Sequence, residues 1–136
     1  MSRIEHIGIA VKDLNKAMKK FETLLGSACY KIEEVREQKV RTAFFKIGDT
    51  KIELLESKDQ QGPIGKFIEK KGEGIHHIAF EVENLIEALR EMEASGFQLI
   101  DTKPRKGAEG LNIAFLHPQT SGGVLIELCE KPLTEV

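Results

Sequence analysis

Thiols are scarce in this sequence: its two cysteines, Cys29 and Cys129, stand far apart and have no thiol neighbours. No zinc-knuckle or redox spacing can be built from them, so both read as reduced, packed residues. Charge of one sign is equally scarce. A formal net charge of −2 makes no electrostatic case for nucleic acid or an anionic membrane surface as the main partner. Long apolar runs are missing: nothing approaches the roughly 20 residues of a membrane span. The opening Met1-Ser2-Arg3-Ile4-Glu5 also lacks the apolar stretch of a signal peptide. The expectation is a cytoplasmic protein with neither nucleic acid nor membrane as partner. With 136 residues, 40% of them hydrophobic and 31% charged, the chain suffices for one domain or for two half-size modules sharing a core.

What the sequence does contain is a duplication. Ile4-Glu5-His6-Ile7-Gly8-Ile9-Ala10-Val11 is replayed by Ile75-His76-His77-Ile78-Ala79-Phe80-Glu81-Val82, at the 71-residue spacing from His6 to His77. The same spacing lays Leu14 on Leu85, Ala17 on Ala88, Glu22 on Glu93 and Ala43-Phe44-Phe45 on Ala114-Phe115-Leu116. After extra residues near Ser121-Gly122-Gly123, Ile52-Glu53-Leu54-Leu55-Glu56 falls on Ile126-Glu127-Leu128-Cys129-Glu130. Self-similarity of this kind dictates architecture before any single element does.

Alternation puts Ile7, Ile9 and Val11 on one strand face and His6, Gly8 and Ala10 on the other. Asp13 is a good N-cap, and Leu14, Ala17, Met18, Phe21, Leu24 and Leu25 recur at helical spacing up to Gly26. Strands are expected near 29–36, 39–47 and 50–57, the last two joined by the turn Gly48-Asp49. Gln60-Gln61-Gly62-Pro63 breaks the pattern, and a short helix follows, ending near Gly72. The second module is expected to run as a strand at 74–83, a helix at 84–95 and strands near 97–102, 111–117 and 123–131. The fold class is therefore α+β: one domain of two tandem βαβββ modules, about 3–57 and 74–131, with a connector over 58–73. Their sheets should pair into a curved mixed sheet around a cleft on the face away from the helices.

Strand parity aims His6, Glu53, His77 and Glu127 at that face. Fold-preserving repetition accounts for matched Ile, Val and Leu, but not for His and Glu in mid-strand. Two carboxylates and two imidazoles are costly to bury as free groups, whereas a divalent cation offsets both charges and uses the imidazole lone pairs. Mixed nitrogen and oxygen donors with no thiolate suit Co²⁺, Mn²⁺, Ni²⁺, Fe²⁺ or Zn²⁺. Four protein ligands on a six-coordinate ion leave two positions for water or a chelating substrate. His76, whose repeat partner is Glu5, reads as structural. His117, before Pro118, is open between a backbone-bonding turn residue and a ligand contact. Glu33-Glu34 and Lys19-Lys20 read as solvated faces.

These residues resemble the vicinal oxygen chelate superfamily, in which paired βαβββ modules surround a metal, and within it the methylmalonyl-CoA epimerase family. The resemblance runs from about Ile4 to Glu130. It rests on His6-Ile7-Gly8-Ile9-Ala10-Val11-Lys12-Asp13-Leu14, Lys51-Ile52-Glu53-Leu54-Leu55 and Gly74-Ile75-His76-His77-Ile78-Ala79-Phe80. The most specific motif is His117-Pro118-Gln119-Thr120-Ser121-Gly122-Gly123-Val124-Leu125-Ile126-Glu127-Leu128. Glyoxalase I, the nearest alternative, typically has Arg where this chain has Ala10 and Asp-Pro-Asp-Gly in place of the 117–123 stretch. A glyoxalase-like lyase and a non-catalytic small-molecule-binding module are the remaining alternatives, and the intact ligand quartet argues against the second.

The resemblance implies interconversion of (2R)- and (2S)-methylmalonyl-CoA by removal and return of the C2 proton. It implies Glu127 as base or acid, an acyl-CoA substrate and a homodimer. Some members carry a second glutamate on the third strand, where this chain has Thr42, so the second proton is left to water held by Thr42 or to another carboxylate such as Glu37. Ser121, Gly122 and Gly123 are expected to contact the malonyl carboxylate or thioester, since glycines let backbone N–H groups approach an anion. Lys106, with Lys103 or Arg105, is expected to attract the CoA phosphates in a salt-sensitive way.

Overall fold

A computed structural model describes residues 1–36 and 39–132. Among them the order is β1 (Arg3–Val11), α1 (Leu14–Leu25), β2 (Lys31–Val35), β3 (Val40–Ile47), β4 (Thr50–Ser57) and α2 (Pro63–Lys71). The order continues with β5 (Gly74–Glu81), α3 (Leu85–Ala94), β6 (Arg105–Lys106), β7 (Asn112–Leu116) and β8 (Ile126–Glu130). The class is α+β. The chain divides into two compact units, one of His6–His76 and one of Met1–Glu5 with the residues from His77 on.

In the first unit the strands run β2-β3-β4-β1. β1 and β4 are parallel, with Gly8 opposite Glu53, and β3 and β4 are antiparallel, with Phe44 opposite Glu53 and Thr42 opposite Leu55. Helix α1 begins where the Asp13 side chain accepts from the Lys16 N–H and stops at Gly26, whose left-handed φ of 69° an L side chain resists. Its apolar stripe of Leu14, Ala17, Met18, Phe21 and Leu25 packs on Ile9, Val11, Ala43, Phe45, Ile52 and Leu54. That packing takes one sheet face and leaves the other to His6, Thr42, Phe44 and Glu53.

The second unit repeats the scheme in the order β5-β8-β7-β6. Ala79 stands opposite Glu127 in parallel pairing, Phe115 opposite Glu127 in antiparallel pairing. These are the registers of Gly8, Phe44 and Glu53 transposed, so the duplication extends to the hydrogen-bond ladder. Helix α3, capped by Asn84 at the Glu87 N–H, packs Leu85, Ala88, Leu89 and Met92 on Ala114, Leu116, Ile126 and Leu128.

Each unit holds one of a matched pair of glutamates that reach a helix start. Glu56 Oε2 accepts from the Leu14 N–H and Glu130 Oε2 from the Leu85 N–H, both at 2.8 Å. Carboxylates at the first turn satisfy an otherwise orphaned donor and complement the helix dipole.

The strand expected at 97–102 does not form as such. Leu99 makes an isolated bridge to Leu116, and the Asp101 carboxylate takes the Phe115 N–H at 2.9 Å. A side chain occupies the place of a ladder carbonyl, and regular pairing resumes only at Arg105–Lys106, inside the stretch read as loop.

Candidate metal and substrate site

Each unit carries one buried imidazole–carboxylate pair. In the first, His6 Nδ1 lies 3.2 Å from Glu53 Oε2, with the residues 3% and 4% exposed. In the second, His77 Nε2 lies 3.3 Å from Glu127 Oε1, with the residues 5% and 4% exposed. Strand parity produces both arrangements, because His6 and His77 hold matching positions in β1 and β5 and the glutamates sit on the strand paired in parallel to each. Two donors each about 2.1 Å from an ion and at right angles lie about 3 Å apart. A charge-assisted hydrogen bond would close to about 2.7–2.9 Å. Separations of 3.2 and 3.3 Å leave room for cis ligation, and two buried nitrogens with two buried carboxylates are a donor set that fits a divalent metal. The Phe115 ring meets His77 edge-on at 5.6 Å and 84°, which holds the imidazole plane.

Thr42, on the same face as Glu53 by register, is 1% exposed, and its hydroxyl finds no hydrogen-bond partner among the described residues. Leaving a buried hydroxyl unpaired costs about 1–3 kcal/mol. Across the β2–β3 ladder its opposite residue is Glu33. Glu33 is part-exposed, its carboxylate pairs with Lys31 at 3.3 Å, and the Lys31 ammonium stands 5.1 Å from the Phe44 ring centroid. Glu34 pairs with Lys58 at 2.9 Å, and both pairs lie at the surface. Glu37 lies outside the described residues.

The turn at 117–124 is built around Pro118–Thr120. His117 serves as its cap, its Nδ1 accepting from the Gln119 N–H at 3.0 Å. The Ser121 hydroxyl donates to the Val124 carbonyl at 2.6 Å and so is committed to the turn itself. The N–H groups of Ser121 and Gly123 go to the Pro118 carbonyl and that of Val124 to Ser121. The Gly122 N–H makes none of these bonds. Gly122 and Gly123 have φ of 72° and 88°, a region that a β-branched residue enters only under strain. Lys106 is exposed, its ammonium 3.5 Å from the Gly110 carbonyl. Arg105 is tied to Asp101 at 3.2 Å and lies over the Phe115 ring at 5.5 Å.

His76 packs edge-on against Phe67 at 4.9 Å. Burial, reinforced by the Lys71 ammonium, pushes its imidazole down to about 4. Sequence reasoning missed the buried Glu5, 1% exposed and 3.5 Å from Arg3. It also left Glu56 and Glu130 without a role, although their exact repetition beside matched helix starts was the available signal.

Residues 5–115 match the family described as Glyoxalase/Bleomycin resistance protein/Dioxygenase superfamily, and the chain belongs to it. Over 130 residues it is 48% identical to an uncharacterized protein of Bacillus subtilis (strain 168), covering 96% of this chain and 93% of that one. Over 129 residues it is 36% identical to the mitochondrial methylmalonyl-CoA epimerase of Homo sapiens, covering 94% of this chain and 73% of that one. A solved structure of a Streptomyces coelicolor methylmalonyl-CoA epimerase variant, in complex with 2-nitronate-propionyl-CoA, is similar with a TM-score of 0.94 at 34% identity, covering 100% of this chain and 99% of that one. Among the described residues no helix is long and apolar enough to cross a membrane.

Proposed function

We infer that the protein is a methylmalonyl-CoA epimerase, interconverting the (2R) and (2S) forms by taking the C2 proton and returning one to the opposite face. One observation carries this reading: each half holds a buried His–Glu pair at ligand spacing and at the same ladder position. The relatives named for this reaction, at 36% and 34% identity, match over nearly the whole chain.

On this reading His6, Glu53, His77 and Glu127 of a single domain hold one divalent ion, with Co, Mn, Ni, Fe and Zn all suited to two nitrogens and two oxygens. Such an ion supplies positive charge to substrate oxygens, whose negative charge grows when C2 loses its proton. The C2 proton is acidic because it lies between a thioester and a carboxylate. Glu127 keeps one oxygen at the ligand position and offers the other to C2 as base, with close placement offsetting a ligand's weaker basicity. Gly122, flanked by Ser121 and Gly123, offers its N–H to the malonyl carboxylate or thioester end. Thr42 lines the substrate site, and Lys106 attracts CoA phosphates. The protein acts in the cytoplasm as a homodimer, which light scattering on the eluted protein checks.

The test is deuterium exchange and inversion at C2 of methylmalonyl-CoA in D₂O, with protein reconstituted with each metal and a hemithioacetal assayed beside it. Exchange with inversion supports the reading. Turnover of the hemithioacetal alone points to a glyoxalase-like lyase, and metal-loaded protein inert toward methylmalonyl-CoA defeats the epimerase assignment.

A further inference from the structure

Beside the first helix of each unit the duplication kept one feature and inverted another. In the first unit a groove of about 400 Å³ lies along α1, floored by Val11, Ala17 and Phe21 and rimmed by Lys12, Lys16 and Lys20. In the second a groove of about 420 Å³ lies along α3, floored by Val82, Ala88 and Met92 and rimmed by Glu83, Glu87 and Glu91. The 71-residue spacing relates all six positions of one groove to those of the other. The apolar floor is thus repeated, while every lysine becomes a glutamate. We propose that two copies of this chain associate through these surfaces, the basic groove of one copy facing the acidic groove of the other. This goes beyond the epimerase chemistry and rests only on the homodimer named with it.

Helix stability does not account for these charges. Like charges four residues apart on a helix repel, and Lys16 with Lys20 and Glu87 with Glu91 are spaced that way. The helix dipole favours an acid in the first turn, which suits Glu87 but is opposed by Lys16 at the matching place in α1. All six side chains are exposed, and among the described residues none of them forms an ion pair. The two acids that also line the basic groove serve the backbone: Asp13 accepts from the Lys16 N–H at 3.1 Å and Glu73 from the Lys12 N–H at 2.7 Å. Each copy therefore presents three cations over an apolar floor and three anions over a matching one. Opposed potentials steer partners together and fix register, and like-charge contacts reject the wrong pairing. Basic against basic and acidic against acidic are both rejected here. A second copy brings whichever sign the first surface lacks, whereas a small anion would fit the lysines and leave the glutamates without a role.

The experiment measures self-association of the metal-loaded full chain by sedimentation, without substrate, so that failure of the epimerase reading leaves its result untouched. Wild type should associate more weakly as salt is raised, because exposed charges are screened. Lys16→Glu combined with Lys20→Glu should weaken association by about tenfold or more, and so should Glu87→Lys combined with Glu91→Lys. These positions are exposed on helices, and circular dichroism checks that both variants fold. An equal mixture of the two variants should associate as wild type does, since each then supplies the sign that the other has lost. A chain carrying all four reversals should do the same. Wild-type association in both variants overturns the proposal, as does weakening by the lysine reversals alone, the result expected of a small anion. Loss that neither the mixture nor the fourfold variant restores also overturns it, by assigning the effect to something other than charge pairing. A wild type that stays monomeric at every concentration defeats the homodimer and this surface with it.

Discussion

The two halves agree where they bind and cap, and disagree along the wall beside the ligands. His6 and His77, Glu53 and Glu127, Glu56 and Glu130 repeat in identity, register and partner. Around them the second half packs an apolar cluster of Ala79, Leu111, Ile113, Phe115 and Cys129. The first half sets Gly8 and Thr42 where the second has Ala79 and Ile113 and, across the ladder, Glu33 where the second has Arg105. Duplication preserved what each unit needs in order to hold a charge and start a helix. It let the neighbouring positions on the same strands diverge, Gly8 from Ala79 and Thr42 from Ile113.

The sharpest way to break this comparison is to treat the two ligand glutamates alike. Glu127→Gln should lower C2 exchange by about 10²–10⁴-fold with metal retained, whereas Glu53→Gln should leave most exchange intact, as deuterium incorporation and elemental analysis would read. Equal losses would mean that the matched positions share one role and that Glu127 is no special base.

Metal stoichiometry asks whether the halves act together. If one ion takes ligands from both, His6→Ala and His77→Ala should each bring binding close to zero from one ion per chain, and chelation should lower the melting temperature of wild type alone. An ion held at about 100 times its Kd stabilises by about 2.7 kcal/mol. Two ions per chain, or half-occupancy in either variant, would make the pairs independent sites.

The caps offer a test of equivalence without chemistry. Glu56→Ala and Glu130→Ala should each cost about 0.5–2 kcal/mol in urea unfolding and leave C2 exchange per folded molecule unchanged. A much larger loss for Glu130 would reflect its second bond, from Asn112 Nδ2 at 3.1 Å.

A pH test concerns positions 5 and 76, matched in sequence but different in chemistry. His76 is neutral in the folded protein down to about 4, while its unfolded counterpart takes a proton near the ordinary 6.5. The unfolded state therefore binds more protons between those values, and stability falls as pH drops from about 6.5 to about 4, with no further loss below. In metal-free protein, His76→Phe should flatten that stretch of the pH–stability curve. An unchanged slope would assign it to other groups.

By itself the sequence determined the repeat, the helix starts at Asp13 and Asn84, the hairpin at Gly48-Asp49 and the side of the sheet on which the histidines and glutamates stand. Alternation and capping are local, so they can be read along the chain. Only the tertiary structure decided what depends on the neighbouring strand. Asp101 displaces a ladder carbonyl and moves the short strand to Arg105–Lys106, Glu56 and Glu130 reach back to helix N-termini, and Ser121 turns its hydroxyl onto Val124. Glu33, which looks solvated in sequence, comes to face a buried hydroxyl for the same reason. Register joins residues distant in the chain, and no local pattern records which carboxylate will find which donor.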